Sequence, residues 1–524
     1  MNDKKSFLNI LLCVAFFSAM LPIWVTRREM WDGVLIEYAF ETLDMSGLIY
    51  GANASGWPVA GLIYKVLLKF QQSFSFPYWL GIDVFYTAAL LGIAYEIFLF
   101  ALHQLKLPHR TCLIVIILFF LHPIWQLLMS GIHMVHMLGL WFLLLGHRLS
   151  RKNSVAMNVF GWSFLTISFQ YPAAIVMVFW LEGVHYLRSS QAGQKSYRRA
   201  LFVAIYAATW YAIYRILFKP VEIFANYNQV QIPISIDLLK PLLWTGLKFE
   251  SWLILLTCPL WIAVLVKQDF KKIVGSITNY LKIRDKNRFC EPIVIAVAGC
   301  VLACVPYIIV GKGPVLVFPF EWTSRHALPL SFPFSILVAA GITKFAAIAK
   351  NAESTIRLER TMLIAISTLW FSIGAVGLIG KLYQIRLEKA IESSLRSLAT
   401  PPSGRVLLWL PFNPIMRIGP PETNAIFWRA YGKTQWAVMI GPPDSWVEKL
   451  RNIYVGDAAT SLKNIKNQQR WYEYSVMGEI KTMDCETLIS LKLPNVEQEQ
   501  SGFLAWLSWK KFELEAIQEK TTCN

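Results

Sequence analysis

Charge is scarce along these 524 residues: Asp, Glu, Lys and Arg together make up 16%, and only 33 of them are acids. None of the eight cysteines pairs with another at CxxC spacing, so a thiolate metal cluster is not expected. Glycine-rich phosphate loops and Gly-x-Ser-x-Gly elbows are missing, which argues against a nucleotide-driven enzyme and a serine hydrolase. There is no internal repeat and no low-complexity tract, which weakens the case for a transporter assembled from two related halves.

What the chain has in quantity is apolar surface. Apolar residues make up 55% and aromatics 14%, and the mean hydropathy is +0.45, above the usual composition of a water-soluble domain. The apolar runs 7–25, 113–121, 134–145, 293–310 and 331–342 are too many for one soluble core. Roughly twenty such residues suffice to span hydrocarbon. The expected fold is therefore an α-helical polytopic membrane protein. The net charge of +17 does not form a single basic stripe, so no nucleic-acid partner is expected, and membrane lipids are the natural surroundings. Cys13, Cys112, Cys258, Cys300 and Cys304 lie in apolar runs and Cys290 in a basic loop, while Cys485 and Cys523 near the C-terminus are either a disulfide or two unlinked thiols. The opening Met1-Asn2-Asp3-Lys4-Lys5 precedes an apolar run with no small-residue cleavage site, which reads as an uncleaved first span.

Hydropathy predicts about eleven spans, near 6–25, 78–102, 111–128, 134–147, 155–170, 172–187, 199–218, 249–266, 292–310, 329–349 and 361–380. Lys and Arg alternate between the connecting segments. Lys4/Lys5, Lys106/Arg110, Arg148/Arg151/Lys152, Arg188/Lys195/Arg198/Arg199, the loop 267–288 and Lys344/Lys350/Arg357/Arg360 fall on one side, which the positive-inside rule makes cytoplasmic. The segments 26–77, 130–133, 170–171, 219–248, 310–328 and everything after about 381 fall on the other, exoplasmic side. The expected division is a transmembrane domain over 1–380, with interfacial helices in the loop 26–77, and a small exoplasmic α/β domain over 381–524. In that domain 405–410, 436–440 and 487–493 read as strands and 446–454 as a helix. The N-terminus is expected in the cytoplasm. A bacterial inner membrane is the expected location, since no organelle-retention signal closes the chain, although Asn53-Ala54-Ser55 is a lone glycosylation sequon.

Two loops on the predicted exoplasmic side carry the candidate chemistry. In the first, Arg27-Arg28-Glu29-Met30-Trp31-Asp32-Gly33 follows the first span, and Glu37, Glu41 and Asp44 come next at spacings of four and three, one face of a helix. The solvated face of an interfacial helix is the preferred reading of those three, since such a helix needs a polar side whatever its function. Asp32 is either the N-cap of that helix or a general base acting on an acceptor hydroxyl, a role worth roughly 10²–10⁴ in rate. The stretch 51–72, with Trp57-Pro58, Lys65 and Lys69, has the composition of a helix lying flat at the interface. In the second loop, Lys312, Arg325 and His326 are candidate phosphate ligands, with Glu321 nearby as an ion-pair partner. His133 and His136 lie one helical turn apart, but no third ligand accompanies them, so no metal site is expected there. Glu96 and Glu182 fall within or near spans, where a lipid-facing carboxylate is costly, and they are expected to turn inward or toward an end.

This layout resembles the GT-C superfamily of polytopic glycosyltransferases, which transfer sugars from polyprenyl-phosphate carriers on the exoplasmic face. The resemblance rests on Trp31-Asp32-Gly33 after the first span, the interfacial helices up to Gln72, about eleven spans, and the exoplasmic C-terminal region. Ser324-Arg325-His326-Ala327-Leu328-Pro329 is similar to the Arg-aromatic-x-x-Pro stretch before a late span in that family. The likeness implies Asp32, with Glu37, as the catalytic carboxylates; Arg325, Lys312 and His326 as contacts to the donor phosphate; and Glu41, Glu321 and His133 as site-lining groups. It implies a polyprenyl-phosphate-linked sugar as donor, a glycan, lipid or protein acceptor, and no bound cofactor. Where the family often carries two adjacent or alternating acids, Asp32 is followed by Gly33, so metal dependence is not implied. A transporter or lipid-glycan flippase, a glycan ligase or polymerase, and a non-catalytic scaffold are the competing classes.

Overall fold

The computed structural model describes residues 2–25, 33–54, 57–125, 131–188, 193–219, 292–309, 328–347, 351–398, 405–409, 420–432, 437–440, 485–492 and 515–523. The first helix is α1 (Asn2–Val25). Three short helices follow it, α2 (Gly33–Glu41), α3 (Ser46–Ala54) and α4 (Pro58–Phe74). The bundle continues with α5 (Tyr78–Leu99), α6 (His109–Leu121), α7 (Met134–Leu149), α8 (Val155–Ser168), α9 (Pro172–Arg188) and α10 (Gly193–Leu217). Later come α11 (Pro292–Ile309), α12 (Ser331–Ala346), the 45-residue α13 (Ala352–Arg396) and α14 (Pro420–Tyr431).

Among the described residues five segments are long and apolar enough to cross a membrane: Ser6–Trp24, Tyr78–Gln104, Tyr197–Leu217, Leu328–Ala346 and Ala352–Arg396. Shorter apolar helices lie beside them at His109–Trp125, Met134–Leu149, Val155–Ser168 and Pro292–Tyr307. The chain is thus a mostly helical integral membrane protein. Helices satisfy backbone hydrogen bonds within one segment, as hydrocarbon demands, and these turn residues such as Val14, Phe17, Leu91, Phe160 and Ile205 outward. Where α7 and α8 meet, glycine permits the approach. A Cβ on Gly146 would stand 2.8 Å from the Gly161 carbonyl oxygen and 2.9 Å from the Leu165 nitrogen, so only a residue without a side chain fits.

Among the described residues, basic side chains near the helix ends pair with carboxylates and rings of other helices. At the start of α6, Arg110 Nε lies 2.7 Å from Glu359 of α13, and Thr111 is 3.4 Å from Thr343 of α12. Arg360 stands over the ring of Phe7 in α1, 5.2 Å from its centre. At the end of α7, Arg148 donates twice to Glu96 of α5, both at 2.7 Å. Glu182 of α9, 3% exposed, is met by Arg151, by His147 Nε2 at 3.4 Å and by Arg199 Nε at 3.5 Å. The two carboxylates expected to turn away from lipid therefore do so, and their partners come from helices distant in sequence.

Helix α13 links two cores. Asn351 caps it by accepting from the Ser354 nitrogen at 2.8 Å, and at about 1.5 Å rise per residue it runs for about 67 Å, twice the thickness of a hydrocarbon layer. Its first half packs in the main core through Met362, Leu363, Ile366 and Trp370. Its last turns bury Leu387, Ile391 and Leu395 against Val406, Leu408, Ile426 and Phe427 in a second core. The division expected at residue 380 falls inside this continuous helix, because neither proline nor a polar break interrupts 374–396. Beyond it, strands β1 (Arg405–Trp409), β2 (Ala437–Ile440), β3 (Cys485–Lys492) and β4 (Glu515–Cys523) form one sheet in the order β2-β1-β3-β4. β1 runs parallel to both β2 and β3, and β4 is antiparallel to β3, with Cys485 opposite Cys523 in register. The helix expected over 446–454 lies outside the described residues, and β4 was not predicted because Glu515–Cys523 lacks alternating apolar positions.

Candidate functional site

Helix α7 has two ends about 24 Å apart. Arg148 marks one, the basic end, and His133 precedes the other. At that second end α2 packs against α5 and against the 3₁₀ turn Gly131–His133, with Phe40 stacked on Tyr78 at 5.6 Å. Tyr64 of α4 ties the same turn down by donating to the Gly131 carbonyl at 3.2 Å. Of the sequence-predicted site residues, Glu37, Glu41 and His133 are at this end. Asp32, Lys312, Glu321, Arg325 and His326 lie outside the described residues. Asp32 immediately precedes Gly33, the first residue of α2.

Glu37 and Glu41 stand one turn apart on α2, but Asp44 lies beyond the helix and does not share their face. α2 stops at Glu41 and the chain turns through Leu43 at φ +59°, a left-handed conformation that ends the helix. Glu41 is exposed. Asp44 accepts from the Ser46 nitrogen at 2.9 Å and so caps α3. Glu37 faces the C-terminal region, where Arg429 of α14 grips its carboxylate with two donors, Nε at 2.8 Å and Nη2. Arg429 Nη1 also reaches Glu388 of α13 at 3.4 Å, and Gln384 donates to that carboxylate at 3.2 Å. All three charged side chains are largely sequestered: 10% of Arg429, 12% of Glu37 and 1% of Glu388 is exposed. Burial by itself would lower the pKa of this guanidinium. The flanking carboxylates, Glu37 first, reverse that and hold it above the ordinary arginine value. Edge-to-face packing of Tyr38 on Trp428, 5.2 Å between centres, adds apolar contact to the junction. α2 is thus clamped between the bundle on one face and the C-terminal region on the other.

Beside this clamp three rings form a half-buried aromatic group. Trp57, His136 and Tyr171 lie pairwise 4.8 Å apart, brought from the start of α4, the first turn of α7 and the turn before α9. His133, 1% exposed, adds a fourth ring 5.7 Å from His136. The Trp57 indole nitrogen, the Tyr171 hydroxyl and the Gln170 side-chain oxygen are buried without a hydrogen-bond partner among the described residues. Such groups are rare in a finished core, because each leaves about 1–3 kcal/mol of desolvation uncompensated. Among the described residues no group of three or more His, Cys, Asp or Glu is placed to hold a metal.

Sequence reasoning missed Arg429, Glu388, Tyr171 and Gln170. The signals available were slight: Arg429 follows the apolar run Ala425-Ile426-Phe427-Trp428, where a cation needs a buried partner, and Gln170-Tyr171 is a polar break between two apolar runs. Neither a family model nor a curated protein matches the chain.

Proposed function

We propose that this protein is a GT-C-like membrane glycosyltransferase that moves a sugar from a polyprenyl-phosphate donor to an exoplasmic glycan, lipid or protein acceptor. The observation that carries the reading is the clamped α2. Its first residue follows Asp32 directly, and buried Ile36, Ala39 and Phe40 together with the Glu37–Arg429 pair hold the helix at the end of the bundle where Trp57, His136 and Tyr171 gather. A general base needs such a fixed mount, since effective proton transfer depends on placement within hydrogen-bond reach. In this reading Asp32 takes the proton of the acceptor hydroxyl and the oxygen attacks the anomeric carbon. Polyprenyl phosphate then leaves with the bonding pair, stabilised by Arg325 with Lys312 and His326. Glu37, engaged by Arg429, positions α2; Glu41, Glu321 and His133 line the approach.

The finer architecture belongs to the same proposal. About eleven spans cross a bacterial inner membrane, the basic end of the bundle and the N-terminus lie in the cytoplasm, and the sheet-bearing region after α13 is a small α/β domain on the exoplasmic side. Cys485 and Cys523, opposite in register, then occupy an oxidising compartment. A transporter finds less support, because the buried carboxylates Glu96 and Glu182 sit in ion pairs at one end and do not line a path at mid-bundle. Mass spectrometry of surface glycans from cells with and without the protein is the test. Loss of one sugar from the glycan supports transfer, and an unchanged glycan profile with an altered transport phenotype overturns it.

A further inference from the structure

At the basic end of the bundle a cavity of about 430 Å³ opens between α5, α7 and α9. Leu99, Phe100, Leu144 and Leu181 form its apolar walls, and Arg148, Arg151 and Lys152 supply its cations. One wall is a π-helical turn, Phe100–Gln104, that continues α5. Wide turns of this kind are uncommon and cluster at functional sites. Lys106, just beyond, has φ +54°, so the backbone leaves the turn through a second unfavourable conformation.

The charges around the cavity do not balance. Among the described residues Glu96 is the carboxylate that lines it, while Arg148, Arg151 and Lys152 stand against it, leaving two positive charges in surplus with the histidines counted as neutral. Arg148 turns Nε and Nη2 to Glu96, which leaves Nη1 for another acceptor, and Lys152 is exposed at the rim. An apolar-walled hollow with surplus cations at the end of membrane helices has the chemistry of an amphiphilic phosphate: oxygens for the guanidinium forks and a hydrocarbon chain for the leucines.

We propose that this cavity binds the headgroup of an anionic phospholipid, whose net negative charge answers the surplus cations, at a site separate from the α2 end of the molecule by the length of α7. Arg148 Nη1, Arg151 and Lys152 contact the phosphate, and the chain lies against Phe100, Leu144 and Leu181. The cavity volume, within the range of small-molecule sites, accommodates a headgroup and the first methylenes but not a whole lipid.

The test uses the full chain in nanodiscs of phosphatidylcholine alone or with phosphatidylglycerol, read by native mass spectrometry for retained lipid and by thermal unfolding. The wild-type protein retains phosphatidylglycerol and unfolds at higher temperature in its presence. Lys152→Gln, a change at an exposed side chain, weakens that retention about tenfold, as expected for one lost charge-assisted hydrogen bond. Arg148→Lys keeps the charge and the Glu96 pair but loses the fork, and weakens it comparably. Lys65→Gln, on α4 at the other end, leaves it unchanged. Equal retention of the two lipids overturns the proposal, as does an equal loss in Lys152→Gln and Lys65→Gln. Stabilisation by millimolar inorganic phosphate with no preference for phosphatidylglycerol also overturns it, since the ligand would then be a soluble anion. None of these readouts depends on glycosyl transfer.

Discussion

The two ends of the helix bundle solve opposite problems. At the basic end, carboxylates pair with cations from other helices: Glu96 with Arg148, Glu182 with Arg151, His147 and Arg199, and Glu359 with Arg110. At the α2 end, aromatic rings dominate, polar atoms of Trp57, Gln170 and Tyr171 lack partners among the described residues, and one strong ion pair joins α2 to the C-terminal region. The first end is chiefly built to hold the bundle shut. The second joins α2 to the C-terminal region, and the proposed transfer reaction places its substrate there.

Substitutions at the two ends should therefore separate stability from function. The largest effect is expected for Glu182→Gln, which takes the carboxylate from the half-buried Arg151 and Arg199; breaking a pair at a buried carboxylate from one side costs up to about 3–5 kcal/mol. Thermal unfolding of the purified protein should show a marked loss, and a near-native transition would mean that the cluster is not structural. Arg429→Met should come next, removing the guanidinium from Glu37 and Glu388, with a local signature. Limited proteolysis should release the C-terminal region while the bundle remains protected, and adding Glu37→Gln should recover part of the loss. The raised pKa of Arg429 adds a pH expectation. A cation with an elevated folded-state pKa contributes fully below its ordinary value and loses that contribution only as pH rises past it, so Arg429 itself should impose no dependence across the neutral range.

A third expectation concerns the approach of α7 to α8. Gly146→Ala forces a methyl against the Gly161 carbonyl and should cost about 1–3 kcal/mol by overpacking, again read by thermal unfolding. The smallest effect on stability belongs to the aromatic group. Tyr171→Phe removes a hydroxyl with no partner among the described residues and should leave unfolding unchanged or slightly improved, while reducing turnover in a transfer assay. A Tyr171→Phe protein that is destabilised yet fully active would erase the contrast between the two ends.

Much of this was legible in the sequence, and the reasons are physical. Apolar runs announce membrane helices because hydrocarbon leaves a backbone few alternatives. Lys and Arg between the runs marked helix ends, and Arg110, Arg148, Arg151 and Arg199 pair there with carboxylates of other helices. The partners of Glu96 and Glu182 were not legible, since each pairing depends on which helices become neighbours. The same holds for Glu37. Its spacing to Glu41 suggested a common polar face, but the left-handed turn at Leu43 and the arrival of Arg429 from nearly 400 residues away divided the three acids among three different tasks. Trp57 and Tyr171, each unremarkable in its own segment, acquire meaning only when the turns between helices bring them together.

The proposed chemistry depends most directly on Asp32. The decisive measurement is sugar transfer from a polyprenyl-phosphate donor by purified protein in liposomes, comparing wild type with Asp32→Asn after matching their thermal unfolding. The proposal predicts turnover by the wild type and a loss of at least about a hundredfold in the variant, the size of a missing general base. Full activity in a correctly folded Asp32→Asn protein would contradict it.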